Sequence, residues 1–145
     1  MNVIDNWWPV GAWMSVIFLF STDIFSGART SALLGPFLSS IFPALSNEQI
    51  EAIHLTLRKF GHWSEYFILA SLLVRAWRKE FPSQTRIARW AWCVVLATLY
   101  AASDEWHQSF VPSRTASLVD VTIDSFGAIC GALRFNGHRR TVPAN

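Results

Sequence analysis

The chain has 145 residues, a length that predicts a single domain spanning residues 1–145. Hydrophobic residues make up 52% of it and charged residues only 15%, and its mean hydropathy is +0.28. This balance is unusual for a soluble domain and indicates a small all-α membrane protein with several spans in a lipid bilayer. The net charge of +2 is too small to suggest a nucleic-acid partner.

Four apolar runs are long enough to be considered as membrane spans, although each is slightly short of the roughly 20 residues that cross a hydrocarbon core. Tryptophans stand at the ends of these runs, where an amphipathic ring lies at the level of the lipid headgroups. The predicted spans are residues 6–22, 61–77, 88–103 and 116–133.

The segment between the first two spans, about residues 33–58, is expected to lie at the membrane interface. Pro36 and Pro43 interrupt its apolar first part, which favours a re-entrant or interface-lying piece. Ser46 and Gln49 have the spacing of a capping box, which predicts an amphipathic helix that turns into the second span.

Positive charge predicts the orientation of the spans. The loop after the second span carries five Lys or Arg residues and the C-terminal tail carries three, whereas the other face receives Arg29, Arg58, Lys59 and Arg114. Because Lys and Arg concentrate on the cytoplasmic side, both termini are predicted to be cytoplasmic. The polar stretch 104–114 then faces outward.

Three predicted helices bring acids and histidines to this outer end. His62 and Glu65 share a face of the second span, and Asp104, His107 and Gln108 share a face if the third helix continues. Asp120 and Asp124 lie below the outer end of the fourth span. Because carboxylates within a membrane are costly unless they are paired or hydrated, we expect a polar pocket that opens outward.

A glycine pair lies on the same stripe of the fourth span as the two aspartates. Gly127 and Gly131 have the GxxxG spacing that lets another helix approach closely. Packing within the chain is the simpler interpretation, and an oligomer formed through this face is the alternative.

Two stretches closely resemble the signature of the VanZ-like family of small bacterial membrane proteins. They are "SDEWHQSFVPSRTASLVDVTIDSFGAICG" and "KFGHWSEYFILASLL". The resemblance covers about residues 58–133, and Asp124 departs from the amide or other polar residue expected there. It implies a four-span protein of the bacterial cytoplasmic (inner) membrane that acts in the cell envelope. The founding member of the family is linked to low-level resistance to the glycopeptide teicoplanin, so a contribution to antibiotic resistance is implied here.

The favoured hypothesis is a pocket that binds or processes a lipid-linked headgroup of the envelope, with the reaction and any cofactor unknown. Arg114 and Lys59 are expected to hold phosphate, and His62 or His107 to act as acid or base. The candidate catalytic residues are His62, Glu65, Asp104, Glu105, His107 and Asp120. The candidate substrate-binding residues are Lys59, Tyr66, Gln108, Arg114 and Asp124.

Three alternatives remain open from the sequence. The first is a metal site built from the pairs His62 with Glu65 and Asp104 with His107, although no residue is assigned as a ligand. The second is a non-catalytic helical module that shields or binds an envelope lipid or a protein partner. The third is ion conduction, for which no polar path continues toward the cytoplasmic half of the fourth span.

Overall fold

The computed structural model describes residues 3–136, which form helices and connecting turns, with no strand among them. The predicted all-α class is therefore confirmed. Both chain ends, with Arg139 and Arg140 of the basic tail, lie outside the described residues. The helices are α1 (Val3–Phe20), α2 (Gly27–Ile41), α3 (Asn47–Glu80), α4 (Arg86–Gln108) and α5 (Leu118–Asn136), and a 3-10 turn (Asp23–Phe25) separates α1 from α2.

Helices α1, α3, α4 and α5 pack side by side with alternating directions. Asn6 near the start of α1 contacts Glu80 at the end of α3, so these two helices are antiparallel. Helix α5 runs parallel to α3, because residues later in one helix meet residues later in the other. The packing between α3 and α5 is the most extensive in the described chain.

The four predicted spans fall on α1, the second half of α3, α4 and α5. Among the described helices, only α1 combines the length and the apolar composition that a membrane crossing requires. Helix α2 is too short, and α3, α4 and α5 are too polar or carry too many charged residues. The four-span layout therefore stays a prediction.

Helix α2 corrects the expectation that Pro36 interrupts this segment. The helix runs through Pro36 and ends at Ile41, two residues before Pro43. Proline clashes with the β-carbon of the residue before it when that residue is helical, and here the preceding residue is Gly35, which has none. Pro43 does mark the end of the helix, as predicted.

Helix α3 corrects the expected break between an interfacial helix and the second span. It continues for 34 residues from Asn47 to Glu80. The predicted break rested on a change of hydrophobic pattern, and the sequence between these parts has no helix breaker stronger than Gly61. A single glycine inside a helix costs only about 1 kcal/mol relative to alanine, which tertiary packing readily offsets.

The predicted capping box at the start of α3 is confirmed. The backbone N–H of Gln49 donates to Ser46 Oγ at 3.3 Å, and the backbone N–H of Ser46 donates to Gln49 Oε1 at 2.9 Å. Two N–H groups that the helix cannot satisfy itself thereby gain acceptors.

Replacing Ser46 with alanine is expected to lower the free energy of unfolding by about 1 kcal/mol, because the cap acceptor is lost. Thermal unfolding in detergent, followed by circular dichroism, measures the change. Ser39→Ala is the matched control, since the exposed Ser39 hydroxyl only donates to the Gly35 carbonyl within α2. An equal loss in both variants would contradict a capping role.

Candidate functional site

Ten polar side chains gather where α3, α4, α5 and the loop after α4 meet. We call them the polar cluster: Arg58, Lys59, His62, Glu65, Asp104, Glu105, Gln108, Arg114, Asp120 and Asp124. The parallel packing of α3 and α5, with α4 running in the opposite direction, brings their polar turns to the same end of the bundle. Of the predicted site residues, only His107 and Tyr66 are not members of this cluster.

An ion pair between Lys59 on α3 and Asp120 on α5 joins these two helices. The ammonium of Lys59 donates to Asp120 Oδ1, and Arg58 Nη2 lies 3.8 Å from Asp120 Oδ2. The side chain of Asp120 is 1% exposed, whereas that of Lys59 is 37% exposed. Lys59 therefore reaches from the surface to neutralise a buried carboxylate.

A second contact between the same helices lies one turn deeper. His62 Nδ1 is 3.3 Å from Asp124 Oδ1, and the aspartate is fully buried. Neither atom completes a well-aligned hydrogen bond, and Asp124 Oδ2 has no hydrogen-bond partner among the described residues either. The pair is thus close but incompletely satisfied.

Asp104 ties α4 to the end of α1. Its Oδ1 accepts a hydrogen bond from Ser21 Oγ at 2.5 Å, and its Oδ2 accepts one from Gln108 Nε2 at 3.0 Å. All three side chains are buried. Oδ1 of Asp104 therefore joins α4 to the end of α1, whereas Oδ2 is bonded within α4.

Glu105 caps the start of α5. Its Oε2 accepts a hydrogen bond from the backbone N–H of Ser117 at 2.7 Å, where a carboxylate also meets the positive end of the helix dipole. Burial raises the pKa of the Glu105 carboxyl, and the bond from Ser117 opposes that rise. Its other oxygen, Oε1, is buried and has no hydrogen-bond partner among the described residues.

Arg114 is held by the connection between α1 and α2. Its Nη2 donates to the carbonyl oxygens of Phe20 and Thr22. Burial lowers the pKa of the Arg114 guanidinium, and the positive charge of Arg58 lowers it further. Two guanidinium groups are thus held close enough to repel each other.

A cleft of about 280 Å³ opens beside the cluster, between α2, α3 and the loop after α4. We call it the basic cleft. Its polar lining comprises Ser21, Thr30, His54, Arg58, His62, Glu65, Gln108 and Arg114, and its remaining lining comprises Phe20, Leu34, Leu57 and Gly61. The cleft therefore combines cationic groups with an apolar wall.

Besides Arg58, which the sequence analysis used only for orientation, three polar residues of this cleft were missed from the sequence. They are Ser21, Thr30 and His54, the last two joined by a 2.9 Å contact between Thr30 Oγ1 and His54 Nε2. His54 had a detectable signal, because it precedes Arg58 by four residues and His62 by eight, which places all three on one face of a continuous helix. The predicted break in α3 concealed this stripe. Ser21 and Thr30 had no comparable signal.

His107 lies apart from the cluster, whereas Tyr66 is buried close to it without a hydrogen-bond partner for its hydroxyl among the described residues. The imidazole of His107 packs against the ring of Phe18, with centroids 4.8 Å apart, rather than beside Asp104 and Gln108 as expected. Residues three apart on a helix are rotated about 60° from alignment, and here that rotation turns His107 aside. Tyr66 is fully buried in the core, and its ring lies near that of Tyr100 with centroids 6.3 Å apart.

The two glycines of α5 allow the close approach that aligns the cluster. A β-carbon on Gly127 would lie 2.2 Å from the carbonyl oxygen of Trp63, and one on Gly131 would lie 2.2 Å from that of Phe67. Both contacts are within the chain, which is the packing that the simpler interpretation of this glycine pair expects. An oligomer formed through these glycines stays a prediction.

The metal-ligand pairs expected from the sequence do not form as predicted. One possible ligand atom each from His62, Glu105 and Asp120 lies within 4.8 Å of the others. Glu65, Asp104 and His107, the other members of the expected pairs, are not part of this group.

The sequence model of the family described as VanZ/LLP1 matches residues 7–137 of the chain. No curated protein and no solved structure matches it significantly.

Proposed function

Because the chain belongs to the VanZ/LLP1 family, we propose that it is a membrane protein whose basic cleft binds the phosphorylated headgroup of a lipid. The observation that carries this proposal is the convergence of two guanidinium groups and two imidazoles on one cleft with an apolar wall.

The distribution of polar residues supports four membrane spans. The bundle buries four acids, two histidines and an arginine, and exposes large apolar side chains on α1, α3, α4 and α5, which is the reverse of a soluble protein. Averaged hydropathy counts the buried polar residues against a helix, although they do not face the surroundings. The exposed surface of the bundle is therefore more apolar than the average hydropathy of its helices indicates.

The length of α3 supports a position of the cleft at the membrane surface. Its 34 residues extend for about 51 Å, whereas a hydrocarbon core is about 30 Å thick. The first turns of α3 therefore extend beyond the core, and α2 packs against them through the Thr30–His54 contact. Positive charge favours the outer face of the bacterial inner membrane for this end, with both termini cytoplasmic.

The chemistry of the cleft favours a phosphate ester attached to an apolar tail. Guanidinium groups bind phosphate through charge-assisted hydrogen bonds, and Arg58 and Arg114 face the same space. An anion between them would relieve their mutual repulsion. Phe20, Leu34 and Leu57 offer apolar surface beside this position, where the start of a lipid tail would be sheltered.

Arg114→Gln is expected to weaken binding of a polyprenyl phosphate by about tenfold or more, because one charge-assisted contact to phosphate is lost. Tryptophan fluorescence of the purified protein in detergent, titrated with the lipid in the presence of EDTA, measures the affinity. The corresponding polyprenol, which lacks the phosphate, is expected to bind weakly to both proteins.

Arg29→Gln is the matched control, since Arg29 is exposed and pairs with Asp23 at 2.6 Å outside the cleft. It should leave the affinity unchanged. Equal binding of phosphate and alcohol by the native protein, or equal losses in the two arginine variants, would overturn the proposal.

A non-catalytic binding or shielding module is the second candidate, and specific contacts favour it. Asp104 and Glu105 hold helices together, and His107 packs on Phe18, so three of the six proposed catalytic residues have structural contacts. Shielding of an envelope lipid is one way in which such a module would affect teicoplanin susceptibility. Comparison of lipid-linked precursors in a deletion strain separates the candidates, because only loss of an enzyme makes its substrate accumulate.

A further inference from the structure

The polar cluster carries more negative than positive formal charge. Its five carboxylates, on Glu65, Asp104, Glu105, Asp120 and Asp124, are accompanied by three permanent cations, on Arg58, Lys59 and Arg114. Asp23, the nearest other acid at this end, is already neutralised by Arg29. Buried carboxylates are strongly destabilised without a counter-charge, so an excess of two negative charges requires compensation.

Several buried atoms of the cluster, including both oxygens of Asp124, have no hydrogen-bond partner among the described residues, and three of these atoms belong to residues that lie close together. Glu105 Oε1, Asp120 Oδ2 and His62 Nδ1 are buried and have no hydrogen-bond partner among the described residues. Their side chains are more than nine-tenths buried, at 4%, 1% and 8% exposure. These are the same three residues whose possible ligand atoms lie within 4.8 Å of one another.

From this convergence we propose that His62, Glu105 and Asp120 bind a divalent first-row transition-metal cation at a buried site that shares His62 with the basic cleft. One imidazole and two carboxylates form a mixed nitrogen and oxygen ligand set that suits Zn²⁺, Mn²⁺ or Fe²⁺. The ligands come from three helices, α3, α4 and α5, as in other metal sites within helical bundles. Two positive charges also match the excess negative charge of the cluster.

The surrounding contacts leave the proposed ligands available. Lys59 bonds to Asp120 Oδ1, and Oδ2 has Arg58 Nη2 at 3.8 Å but no hydrogen-bond partner among the described residues. Ser117 bonds to Glu105 Oε2 and leaves Oε1 without a hydrogen-bond partner among those residues. These bonds orient each carboxylate, which is the usual role of the groups behind metal ligands. Asp124 Oδ1 lies 3.3 Å from His62 Nδ1, so Asp124 would orient the imidazole for binding through its other ring nitrogen.

Metal content of the purified protein tests the proposal. The full chain, purified in detergent without a histidine tag and stripped with EDTA, is loaded with Mn²⁺ or Zn²⁺, desalted and analysed by mass spectrometry of the elements. We expect about one equivalent per chain for at least one of the two metals. Metal should also raise the midpoint of thermal unfolding by roughly 4 °C or more.

Glu105→Gln and Asp120→Asn are expected to weaken metal binding by at least about tenfold. Glu105→Gln is the more informative variant, since the amide oxygen can still accept the bond from Ser117 and the fold is preserved. Glu51→Gln is the matched control, because this carboxylate of α3 is exposed and lies outside the polar cluster. It should bind metal like the native protein.

Less than about a tenth of an equivalent with both metals, or equal binding by the native protein and Glu105→Gln, would overturn the proposal. In that case a protonated carboxyl or a protonated His62 compensates the charge. The metal measurement uses no lipid and the lipid titration is made in EDTA, so the failure of either proposal is recognised independently of the other.

Discussion

Lys59→Met is expected to lower the free energy of unfolding by about 3 kcal/mol, because it leaves the carboxylate of Asp120 buried without its principal counter-charge. Asp120 is 1% exposed, so water cannot replace the lost ammonium. Arg58, at 3.8 Å, compensates only in part. Unfolding in a titration with sodium dodecyl sulfate, in the presence of EDTA, measures the change without a contribution from bound metal.

The double variant Lys59→Met with Asp120→Leu distinguishes the net stabilisation by the ion pair from the cost of leaving one charge buried and unpaired. The double variant leaves no unpaired carboxylate buried at position 120, so it should recover much of the stability lost in Lys59→Met. The exposed pair of Arg29 and Asp23 provides the control, since breaking it should cost less than about 1 kcal/mol. If Lys59→Met and Arg29→Met are equally mild, the Lys59–Asp120 pair does not stabilise the bundle.

Gly127→Ala is expected to lower the free energy of unfolding by about 1 to 3 kcal/mol, and the double variant with Gly131→Ala by more. The new β-carbon would lie 2.2 Å from the carbonyl oxygen of Trp63, and a backbone atom cannot rotate away. Helix α5 must therefore move away from α3. That movement separates Asp120 from Lys59 and Asp124 from His62, so lipid affinity should fall together with stability.

Gly11→Ala is the matched control for this prediction. A β-carbon on Gly11 meets no atom within 4 Å, and alanine is favoured over glycine inside a helix by up to about 1 kcal/mol. Gly11→Ala should therefore be neutral or stabilising in the same detergent titration. Unchanged stability in Gly127→Ala would mean that α3 and α5 are not packed as closely as described.

The meeting of α3, α4 and α5 at a polar end could be predicted because it depends mainly on helical periodicity. Spacings of three and four residues place Asp120 above Asp124, and Lys59 near His62, once the helix directions are known. The capping box of α3 was predictable for a similar reason, since Ser46 and Gln49 are local neighbours. Such inferences need no knowledge of distant contacts.

The contacts that shape the cleft could not be predicted in the same way. The continuity of α3 through Gly61 depends on tertiary packing that outweighs a local preference, and it alone brings His54 and Arg58 into line with His62. The bond between Ser21 and Asp104 joins residues 83 positions apart, and a lone serine gives no local signal of it. The rotation that turns His107 toward Phe18 is set by how α4 packs, which periodicity alone does not determine.

The central claim is that the basic cleft holds a phosphorylated lipid, and native mass spectrometry of the purified protein tests it most directly. The native chain and the double variant Arg58→Gln with Arg114→Gln are extracted in the same mild detergent, and the lipids that remain bound are identified by fragmentation. We expect the native protein to retain a phosphorylated lipid that the variant loses, while both keep the same helical content. Retention of the same lipid by both proteins, or of neutral lipids alone, would contradict the claim.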